Sequence, residues 1–341
     1  MFIVTKEFRL HGANPEKIYA AFGIPMPRKV FDFSTNTNAV KQRDGFFPDL
    51  RAALEDYPDD ECLKLVSLIS KKEGVARENI LITSGSNESI YLIASYEASR
   101  ENRILQPVYG EYMRALNNFG ANPLNIFDIF NSDIPSNGTV WICNPCNPTG
   151  FLIPDETLDD IAAYRKDTLF VIDEAYRDFI WTDSRQIRCK ARPNIIRLRS
   201  LTKTYNLCGA RIGYIIADAD ITERLKKRQP SWSVSNFAQQ AALFFLADET
   251  LPSRTKNYYR LEVPRLISAL RDAGFVTLPT CVNYFLMEAD DDEALIRFLL
   301  KRGIVVRHTR NFPGLDGRYV RIAARTAKED DLLIAALRDY L

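Results

Sequence analysis

Residues 194–217 read NIIRLRSLTKTYNLCGARIGYIIA, and this stretch decides the fold prediction. Two short apolar runs, Asn194–Arg199 and Gly213–Ala217, enclose a polar segment that contains Lys203. Runs of about five residues, rich in Val and Ile at both odd and even positions, are typical of strands buried on both faces. Ligands bind beyond the carboxyl ends of strands in an open α/β sheet, so a lysine directly after such a strand is a candidate functional residue.

The same rhythm continues on both sides of this stretch. Further short apolar runs alternate with helical stretches before it: Asn79–Thr83, Arg103–Pro107, Thr139–Cys143 and Leu169–Asp173. This alternation predicts an α/β fold whose mostly parallel sheet has helices on both faces. After Asn283 the runs YFLME, GIVVR and YVRIA, with helical stretches between and after them, predict a smaller α+β domain. We therefore predict a large domain over residues 46–230, with residues 1–45 and 231–341 forming an N-terminal arm and a small domain.

The composition excludes several classes of function. Among 341 residues, 45 Lys and Arg offset 44 Asp and Glu, which gives no electrostatic reason to expect nucleic acid or a membrane as partner. The chain has neither an apolar run near the ~20 residues of a membrane span nor a signal-peptide pattern, and its six cysteines suit free thiols, so we predict a cytoplasmic protein. Cys143 and Cys146 form a C-x2-C pair, but a second pair is missing and only two histidines occur, so we predict no metal site.

Groups that bind or react follow the predicted strands. They lie in Ser84–Asn87, Val108–Tyr109, Asn144–Asn147, Glu174–Tyr176 and Ser200–Lys203. Lys203 could form a Schiff base with an aldehyde, and Asp173 ends an apolar run where a carboxylate needs a cationic partner such as a protonated pyridine nitrogen. The first amides of the helix after Ser84 would point at an anion, with Arg211 as the charged member of the site. Each residue alone also has an ordinary reading, such as a solvated lysine or a helix-capping aspartate.

Taken together, these motifs resemble the aspartate-aminotransferase-like superfamily of fold type I pyridoxal-phosphate (PLP) enzymes. The matching segments are Tyr57-Pro58-Asp59, Asn144–Gly150 (NPCNPTG), Asp173-x-x-Tyr176, Ser200-x-Thr202-Lys203 and Arg211-x-Gly213-Tyr214. The resemblance spans essentially the whole chain and implies the fold type I transferase fold, with PLP bound by the large domain.

The resemblance also implies roles for individual residues toward the cofactor. Lys203 would form the Schiff base and move protons, Asp173 would pair with the pyridine nitrogen, and Tyr109 would stack on the ring. The remaining contacts would be made to the ring hydroxyl by Asn147 and Tyr176, and to the phosphate by Ser86, Asn87, Ser200, Thr202 and Arg211. Tyr57 would reach the phosphate in the neighbouring subunit, which implies a homodimer with shared active sites.

Three further segments resemble the histidinol-phosphate aminotransferase branch and, within it, the threonine-phosphate decarboxylases of cobalamin biosynthesis. They are His11–Asn14 (HGAN), Asp32–Asn38 (DFSTNTN) and Val306–Arg321 (VRHTRNFPGLDGRYVR). This implies a phosphorylated amino acid as substrate, with its carboxylate on Arg321. The candidates for its phosphate are Arg307, His11 and Asn36, followed by Arg310 and Arg325. Residues 39–41 (AVK) depart from the N-P-x-G that usually follows Asn38, which leaves the shape of the covering loop open.

The same residues could serve two reactions. We expect decarboxylation of L-threonine O-3-phosphate to (R)-1-amino-2-propanol O-2-phosphate, with serine phosphate as a second candidate substrate. Transamination, as in histidinol-phosphate aminotransferases, is the alternative, and a non-catalytic PLP-fold protein is a third reading. The bond that breaks is the one held perpendicular to the conjugated ring, so the pose of the substrate decides between the two reactions.

Overall fold

The computed structural model describes residues 12–130, 133–182 and 192–340. The strands, in chain order, are β1 Phe31–Asp32, β2 Ile80–Thr83, β3 Asn102–Leu105, β4 Leu124–Ile126, β5 Thr139–Cys143, β6 Leu169–Asp173, β7 Ile195–Ser200, β8 Gly213–Ile216, β9 Tyr284–Glu288, β10 Ile304–Val305, β11 Arg307–His308 and β12 Tyr319–Ala323. The α-helices are α1 Pro15–Phe22, α2 Leu50–Glu55, α3 Leu63–Glu73, α4 Gly85–Glu97, α5 Glu111–Asn118, α6 Asp155–Tyr164, α7 Leu201–Thr204, α8 Ala219–Lys226, α9 Asn236–Leu246, α10 Leu251–Asp272, α11 Asp292–Lys301 and α12 Ala327–Arg338.

A seven-stranded sheet organises the larger part of the described chain. Its order is β2-β8-β7-β6-β5-β3-β4, and only β8 runs antiparallel to its neighbours. The predicted α/β fold with a mostly parallel sheet is therefore confirmed. Among the helices described, none is long and apolar enough to cross a membrane.

Alternate residues of the central strands pack into separate cores on the two faces of this sheet. In β5, Trp141 packs with Ile90 and Tyr112 of α4 and α5, whereas Ile142 packs with Leu158 of α6. Burial on both faces explains why these strands appear in the sequence as short, continuous apolar runs rather than as alternating patterns.

Helix α9 packs beside the same sheet. Its residues Ala238 and Ala242 share a core with Ile69 of α3 and with Tyr214 of β8. The domain boundary predicted at residue 230 lies shortly before this helix and stays a prediction.

A three-stranded antiparallel sheet, in the order β11-β12-β9, forms the centre of a second core with α10, α11 and α12. The run GIVVR, predicted as one strand, is divided here. Residues of β10 pair with β1 in a parallel ladder, whereas β11 pairs with β12. Val306 is the residue at which the chain changes from one sheet to the other. The pairing with β1 places the N-terminal segment beside the second core.

Candidate active site

The carboxyl ends of β5, β6 and β7 open into a cavity of about 350 Å³. The second core and the N-terminal segment complete its wall. The predicted site residues in that wall are Asn36, Ser86, Asn87, Tyr109, Asn147, Asp173, Tyr176, Thr202, Lys203, Arg211, Arg307 and Arg321. Residues that lie far apart in the sequence therefore converge, as the strand-end argument predicted.

Ser200 and Tyr57 lie outside the cavity wall. Ser200 lies just behind it, where its hydroxyl is 2.6 Å from that of Thr202. Tyr57 is 80 % exposed and packs against Trp232, with 4.9 Å between ring centroids. Its contribution to a neighbouring subunit stays a prediction. His11 lies outside the described residues.

Two of the candidates for the substrate phosphate are engaged elsewhere: Arg310 donates to the Asp292 carboxylate over 2.9 Å, and Arg325 donates to the Asp32 carbonyl over 3.2 Å. Like Ser200 and Tyr57, they do not line the cavity wall.

Asp173, the last residue of β6, is a buried carboxylate with two donors. The Tyr112 hydroxyl donates to its Oδ2 over 2.7 Å, and the Ala175 N–H donates to its Oδ1 over 2.9 Å. Burial raises the pKa of Asp173 to about 6, although both hydrogen bonds oppose the shift. A cation placed beside it in the cavity would offset the free-energy cost of keeping this carboxylate charged.

Lys203 lies on the short helix α7, which begins directly after β7. The side chain is half-buried and lines the cavity, as Asp173 does. The carbonyl of Lys203 accepts the N–H of Asn206 over 3.3 Å, and the neighbouring Thr202 carbonyl accepts the Cys208 thiol over 3.1 Å. These bonds hold the backbone around the lysine, from which its side chain reaches the cavity wall.

The first turn of α4 and Arg211 form an anion site at one end of the cavity. Gly85 has φ +79°, and a Cβ there would lie 2.8 Å from Arg211 Nη2. A Cβ on Gly213 would lie 2.9 Å from the Ser86 nitrogen, so this glycine lets β8 approach the helix start. The amides of a helix N-terminus beside a guanidinium form a site for a phosphate group.

Arg321 lines the cavity and is held by groups from two other segments. Its Nη1 donates to Asn147 Oδ1, and its Nη2 donates to the Ser34 carbonyl over 2.6 Å. Asn147 Nδ2 in turn donates to the Tyr176 hydroxyl over 3.5 Å. The guanidinium also lies 5.6 Å from the centre of the Tyr284 ring. Its orientation is therefore set before any ligand binds.

Arg307 lies directly opposite Arg321 in the β11–β12 ladder. The two residues are 3 % and 5 % exposed, and both line the cavity. Arg307 donates to Asn311 Oδ1 over 2.7 Å and contacts the ring of Phe312. Burial and the charge of Arg321 lower the pKa of Arg307 to about 9. Like charges at opposite positions repel, so anions bound between them would stabilise the pair.

Among the other wall residues, Glu111, Tyr112 and Arg114 lie in no segment that the sequence analysis singled out. Tyr112 and Arg114 lie on α5, which follows Tyr109. Tyr109 lies before the first residue of α5, so helical spacing does not relate it to Tyr112, and the sequence carried no local signal for Tyr112. The carboxylate of Glu111 accepts from the Tyr91 hydroxyl and from Arg114, at 3.1 and 3.3 Å.

The C-x2-C pair directs both thiols at backbone carbonyls. Cys143 Sγ donates to the Pro145 carbonyl over 3.3 Å, and Cys146 Sγ donates to the Pro107 carbonyl over 3.1 Å. Burial raises the pKa of both thiols. In the ranges that the structure describes, no group of three or more His, Cys, Asp and Glu side chains could hold a metal ion.

Comparison with known proteins identifies a single family. A family model described as "Aminotransferase class I and II" matches residues 29–337. The threonine-phosphate decarboxylase of Salmonella typhimurium is 33 % identical, covering 97 % of this chain and 96 % of that protein. The histidinol-phosphate aminotransferase of Moorella thermoacetica is 28 % identical, covering 97 % and 89 %. The crystal structure of L-threonine-O-3-phosphate decarboxylase from Porphyromonas gingivalis superimposes with a TM-score of 0.80 at 27 % identity, covering 91 % and 99 % of the two chains.

Proposed function

The chain belongs to the aminotransferase class I and II family, and from that premise we propose that it decarboxylates a phosphorylated amino acid. The substrate would be L-threonine O-3-phosphate, and the products (R)-1-amino-2-propanol O-2-phosphate and carbon dioxide. The observation that carries the proposal is the pair of buried arginines, Arg307 and Arg321, at opposite positions of adjacent strands. This product would assign the chain to cobalamin biosynthesis.

Pyridoxal 5'-phosphate is the cofactor of this family, and the donor set of the cavity fits it. Asp173 offers a buried carboxylate for a pyridinium nitrogen, and Arg211 offers a guanidinium beside a helix N-terminus for the phosphate. When bound, PLP supplies an electron sink for the electron pair left at Cα of an amino acid.

Each proposed contact to the cofactor uses a residue that follows, or lies close to the carboxyl end of, a strand of the seven-stranded sheet. Lys203 would carry the cofactor aldehyde, Asp173 would pair with the ring nitrogen, and Tyr109 would lie on the face of the ring. The polar groups would divide between the ring hydroxyl, held by Asn147 and Tyr176, and the phosphate, held by Ser86, Asn87, Ser200, Thr202 and Arg211.

The two arginines would hold the two anions of the substrate. Opposite residues of an antiparallel pair have their Cα atoms only about 4.5–5.5 Å apart, so two guanidiniums can bind the ends of one small molecule. Arg321 would bind the carboxylate, since Asn147 and Ser34 already fix its orientation. Arg307 and Asn36 would bind the phosphate. Both atoms of the Asn36 amide are buried without a hydrogen-bond partner among the described residues, and a phosphate oxygen could accept from this amide.

Holding both anions determines which bond to Cα breaks. With carboxylate and phosphate fixed, rotation about the bond to nitrogen would no longer be free, and we propose that Arg321 holds the carboxylate in the orientation from which carbon dioxide leaves. Lys203 would then deliver a proton to Cα after carbon dioxide leaves. The carbon–carbon bond is thus replaced by a carbon–hydrogen bond, and the phosphate ester stays intact.

The proposal is tested by incubating the PLP-loaded protein with L-threonine O-3-phosphate. Release of one carbon dioxide for each amino-propanol phosphate formed, with no free phosphate, is the expected result. L-Serine O-phosphate in a parallel assay defines the preference for the methyl group. Amino transfer from histidinol phosphate to 2-oxoglutarate, with no carbon dioxide from either phosphoamino acid, would show that the proposal is wrong.

Transamination is the second candidate, and the Moorella relative favours it. That histidinol-phosphate aminotransferase is similar over nearly as much of its length as the decarboxylase of Salmonella. Histidinol phosphate has no carboxylate, but the amino acceptor of that reaction, 2-oxoglutarate, has two, so Arg321 would serve either reaction. The preference for decarboxylation rests instead on the higher identity of the relative from Salmonella typhimurium, 33 % against 28 %.

We also propose that the protein is a homodimer. Large apolar side chains are exposed around α2 and the loop before α9: Phe47, Leu50, Leu54, Tyr57 and Trp232. A second copy that covers this surface would remove the apolar area from water, and Tyr57 would then face the neighbouring cavity. Light scattering on the eluted protein should give twice the mass of one chain, whereas a single-chain mass would contradict the homodimer.

A further inference from the structure

Two asparagines join the N-terminal segment to the loop that follows Lys203. The Asn38 N–H donates to Asn206 Oδ1 over 2.9 Å, and Asn206 Nδ2 donates back to the Asn38 carbonyl over 2.9 Å. The Asn206 side chain thus uses both polar atoms of its amide on the N–H and the carbonyl of one residue, as a residue of a neighbouring strand would. We call this pair of residues the asparagine clamp.

The Asn38 side chain extends the clamp into the core. Asn38 is 7 % exposed, and its Nδ2 donates to the Thr204 carbonyl over 2.9 Å and to Thr255 Oγ1 over 2.7 Å. Its Oδ1 accepts the Val40 N–H over 3.0 Å. Every hydrogen-bonding atom of this amide group has a partner. The clamp therefore connects the N-terminal segment to both α7 and α10.

Each half of the clamp lies next to a residue of the cavity. Asn206 donates its own N–H to the carbonyl of Lys203 over 3.3 Å. On the other side, Asn36 is two residues before Asn38 and lines the cavity. A short chain of contacts thus connects Asn36 to Lys203. It runs along the backbone from residue 36 to residue 38, through the side-chain amide of Asn206, and through the hydrogen bond from the Asn206 N–H to the Lys203 carbonyl.

We propose that the asparagine clamp is a positioning device that sets Asn36 relative to Lys203 and thereby selects which bond to Cα breaks. The inference rests on the function proposed above, because it assigns Asn36 to the substrate phosphate. Asn36 would hold the substrate at its phosphate, while the Lys203 amine, which enters the cavity from α7, would act at Cα of the same substrate. A shift of the first relative to the second turns Cα about the bond to nitrogen, and such small displacements cost catalysis heavily.

The exposed position of Asn206 allows a test in a folded protein. Asn206 is exposed and has φ +48°, so glycine accepts this backbone without strain. Asn206→Gly removes both clamp bonds, so the N–H and carbonyl of Asn38 must bind water instead, while the Asn38 side chain keeps its partners. Asn137 is the matched control, because it is also exposed and has φ +55°. It lies in the turn before β5, at the end of that strand that points away from the cavity. Asn206→Asp keeps an acceptor for the Asn38 N–H and loses the donor.

Steady-state assays with L-threonine O-3-phosphate should show the effect in kcat rather than KM. We expect Asn206→Gly to lower kcat for carbon dioxide release at least tenfold, with KM changed less than threefold, and to raise the share of substrate that is transaminated. Asn206→Asp should fall between Asn206→Gly and the wild type, and Asn137→Gly should match the wild type. Hydrogen exchange without substrate gives a readout independent of turnover: the Asn38 amide should lose protection in Asn206→Gly alone.

An unchanged kcat and an unchanged product ratio in Asn206→Gly would overturn the clamp proposal. Equal losses in Asn206→Gly and Asn137→Gly would also overturn it, since they would indicate a general effect of the substitution. The function proposal has a separate check in the wild-type protein. If the wild type transaminates instead of decarboxylating, that proposal fails, while the clamp is still tested by kcat for transamination in the same variants.

Discussion

The Tyr112 hydroxyl donates a 2.7 Å hydrogen bond to Asp173 Oδ2 deep in the wall of the cavity. Its ring stacks on Trp141, with 5.7 Å between centroids, and the Trp141 indole N–H donates to Asn102 Oδ1 over 2.9 Å. Tyr112 and Trp141 are almost fully buried. The chain thus holds the carboxylate with a donor that neither water nor rotation of the side chain can easily replace.

Tyr112→Phe should weaken cofactor binding without disturbing the packing. The ring stays in place, while Asp173 loses a charge-assisted bond worth about 1.5–3 kcal/mol. Its pKa should rise further, so the carboxylate pairs less strongly with a pyridinium nitrogen. We expect the Kd for PLP, measured by titrating the apoprotein, to rise roughly tenfold or more.

Tyr19→Phe is the control for this substitution. Tyr19 is equally buried, and its phenylalanine variant loses a 2.8 Å bond to the Leu300 carbonyl, but Tyr19 does not line the cavity. It should change the free energy of unfolding but not the Kd for PLP. Equal affinities of the Tyr112 and Tyr19 variants for PLP would contradict the role assigned to Tyr112.

Asp173→Asn should stabilise the apoprotein at neutral pH. Burial raises the pKa of Asp173 from 3.8 to about 6, so between these values the folded protein binds a proton that the unfolded chain has released. Stability therefore falls as the pH rises through this window, and above pH 6 the full cost is about 2–3 kcal/mol. Asparagine carries no such charge, so urea unfolding at pH 8 should give the variant the larger free energy of unfolding.

The advantage of Asp173→Asn should shrink as the pH falls from 6 toward 4, while its Kd for PLP should be much higher than that of the wild type. Asp248→Asn is a control whose effect on the free energy of unfolding should have the opposite sign. A hydrogen bond from Thr250 lowers the pKa of Asp248, so the charge of this carboxylate stabilises the fold. That variant should be less stable than the wild type at pH 8. A constant difference across the pH range for Asp173→Asn would mean that its charge is not the cause.

The sequence was sufficient for the sheet and for most of the cavity wall, because both depend on local patterns. Buried strands gave continuous apolar runs, and the residues after them had to meet at one edge. Strand β4 was not predicted, because it has only three residues and only Ile126 is buried, so the sequence shows no continuous apolar run there.

Other features could not be predicted because they depend on tertiary pairing. Arg307 and Arg321 were each candidate substrate ligands, but their register across β11 and β12 depends on how the loop between them folds. Tyr112 is hidden in the same way, since its partner Asp173 is distant in the sequence and nothing local marks the contact. Hydrogen bonds between distant segments are thus the part of a site that single-sequence reasoning misses.

Arg307→Met should raise KM for phosphorylated substrates while stabilising the apoprotein. Loss of a charged contact to phosphate costs about 1.5–3 kcal/mol, so KM for L-threonine O-3-phosphate should rise by roughly 10- to 150-fold. KM for unphosphorylated L-threonine should change little. The pKa of Arg307 is lowered to about 9, so its charge costs stability at pH 7, and removing it should increase the free energy of unfolding.

Arg318→Met is the control for Arg307→Met. Arg318 is exposed on the loop between β11 and β12, where it donates to the Gly314 carbonyl over 2.6 Å. It should leave KM for both substrates unchanged. If Arg307→Met raised KM for L-threonine and for L-threonine O-3-phosphate by the same factor, the guanidinium would have no preference for phosphate. The assignment of Arg307 to the substrate phosphate would then be wrong.

Gly85→Ala tests whether cofactor binding depends on the position of the Arg211 guanidinium beside the first turn of α4. An alanine Cβ would lie 2.8 Å from Arg211 Nη2, so the guanidinium must move away from the anion site. The residue also has φ +79°, which costs an alanine about 1 kcal/mol or more in stability wherever it occurs. Gly120→Ala separates the two effects, because Gly120 has φ +80° and its Cβ would meet nothing within 4 Å. Both variants should lower the free energy of unfolding, but only Gly85→Ala should raise the Kd for PLP, by tenfold or more, and equal affinities would show that the phosphate site does not depend on the position of Arg211.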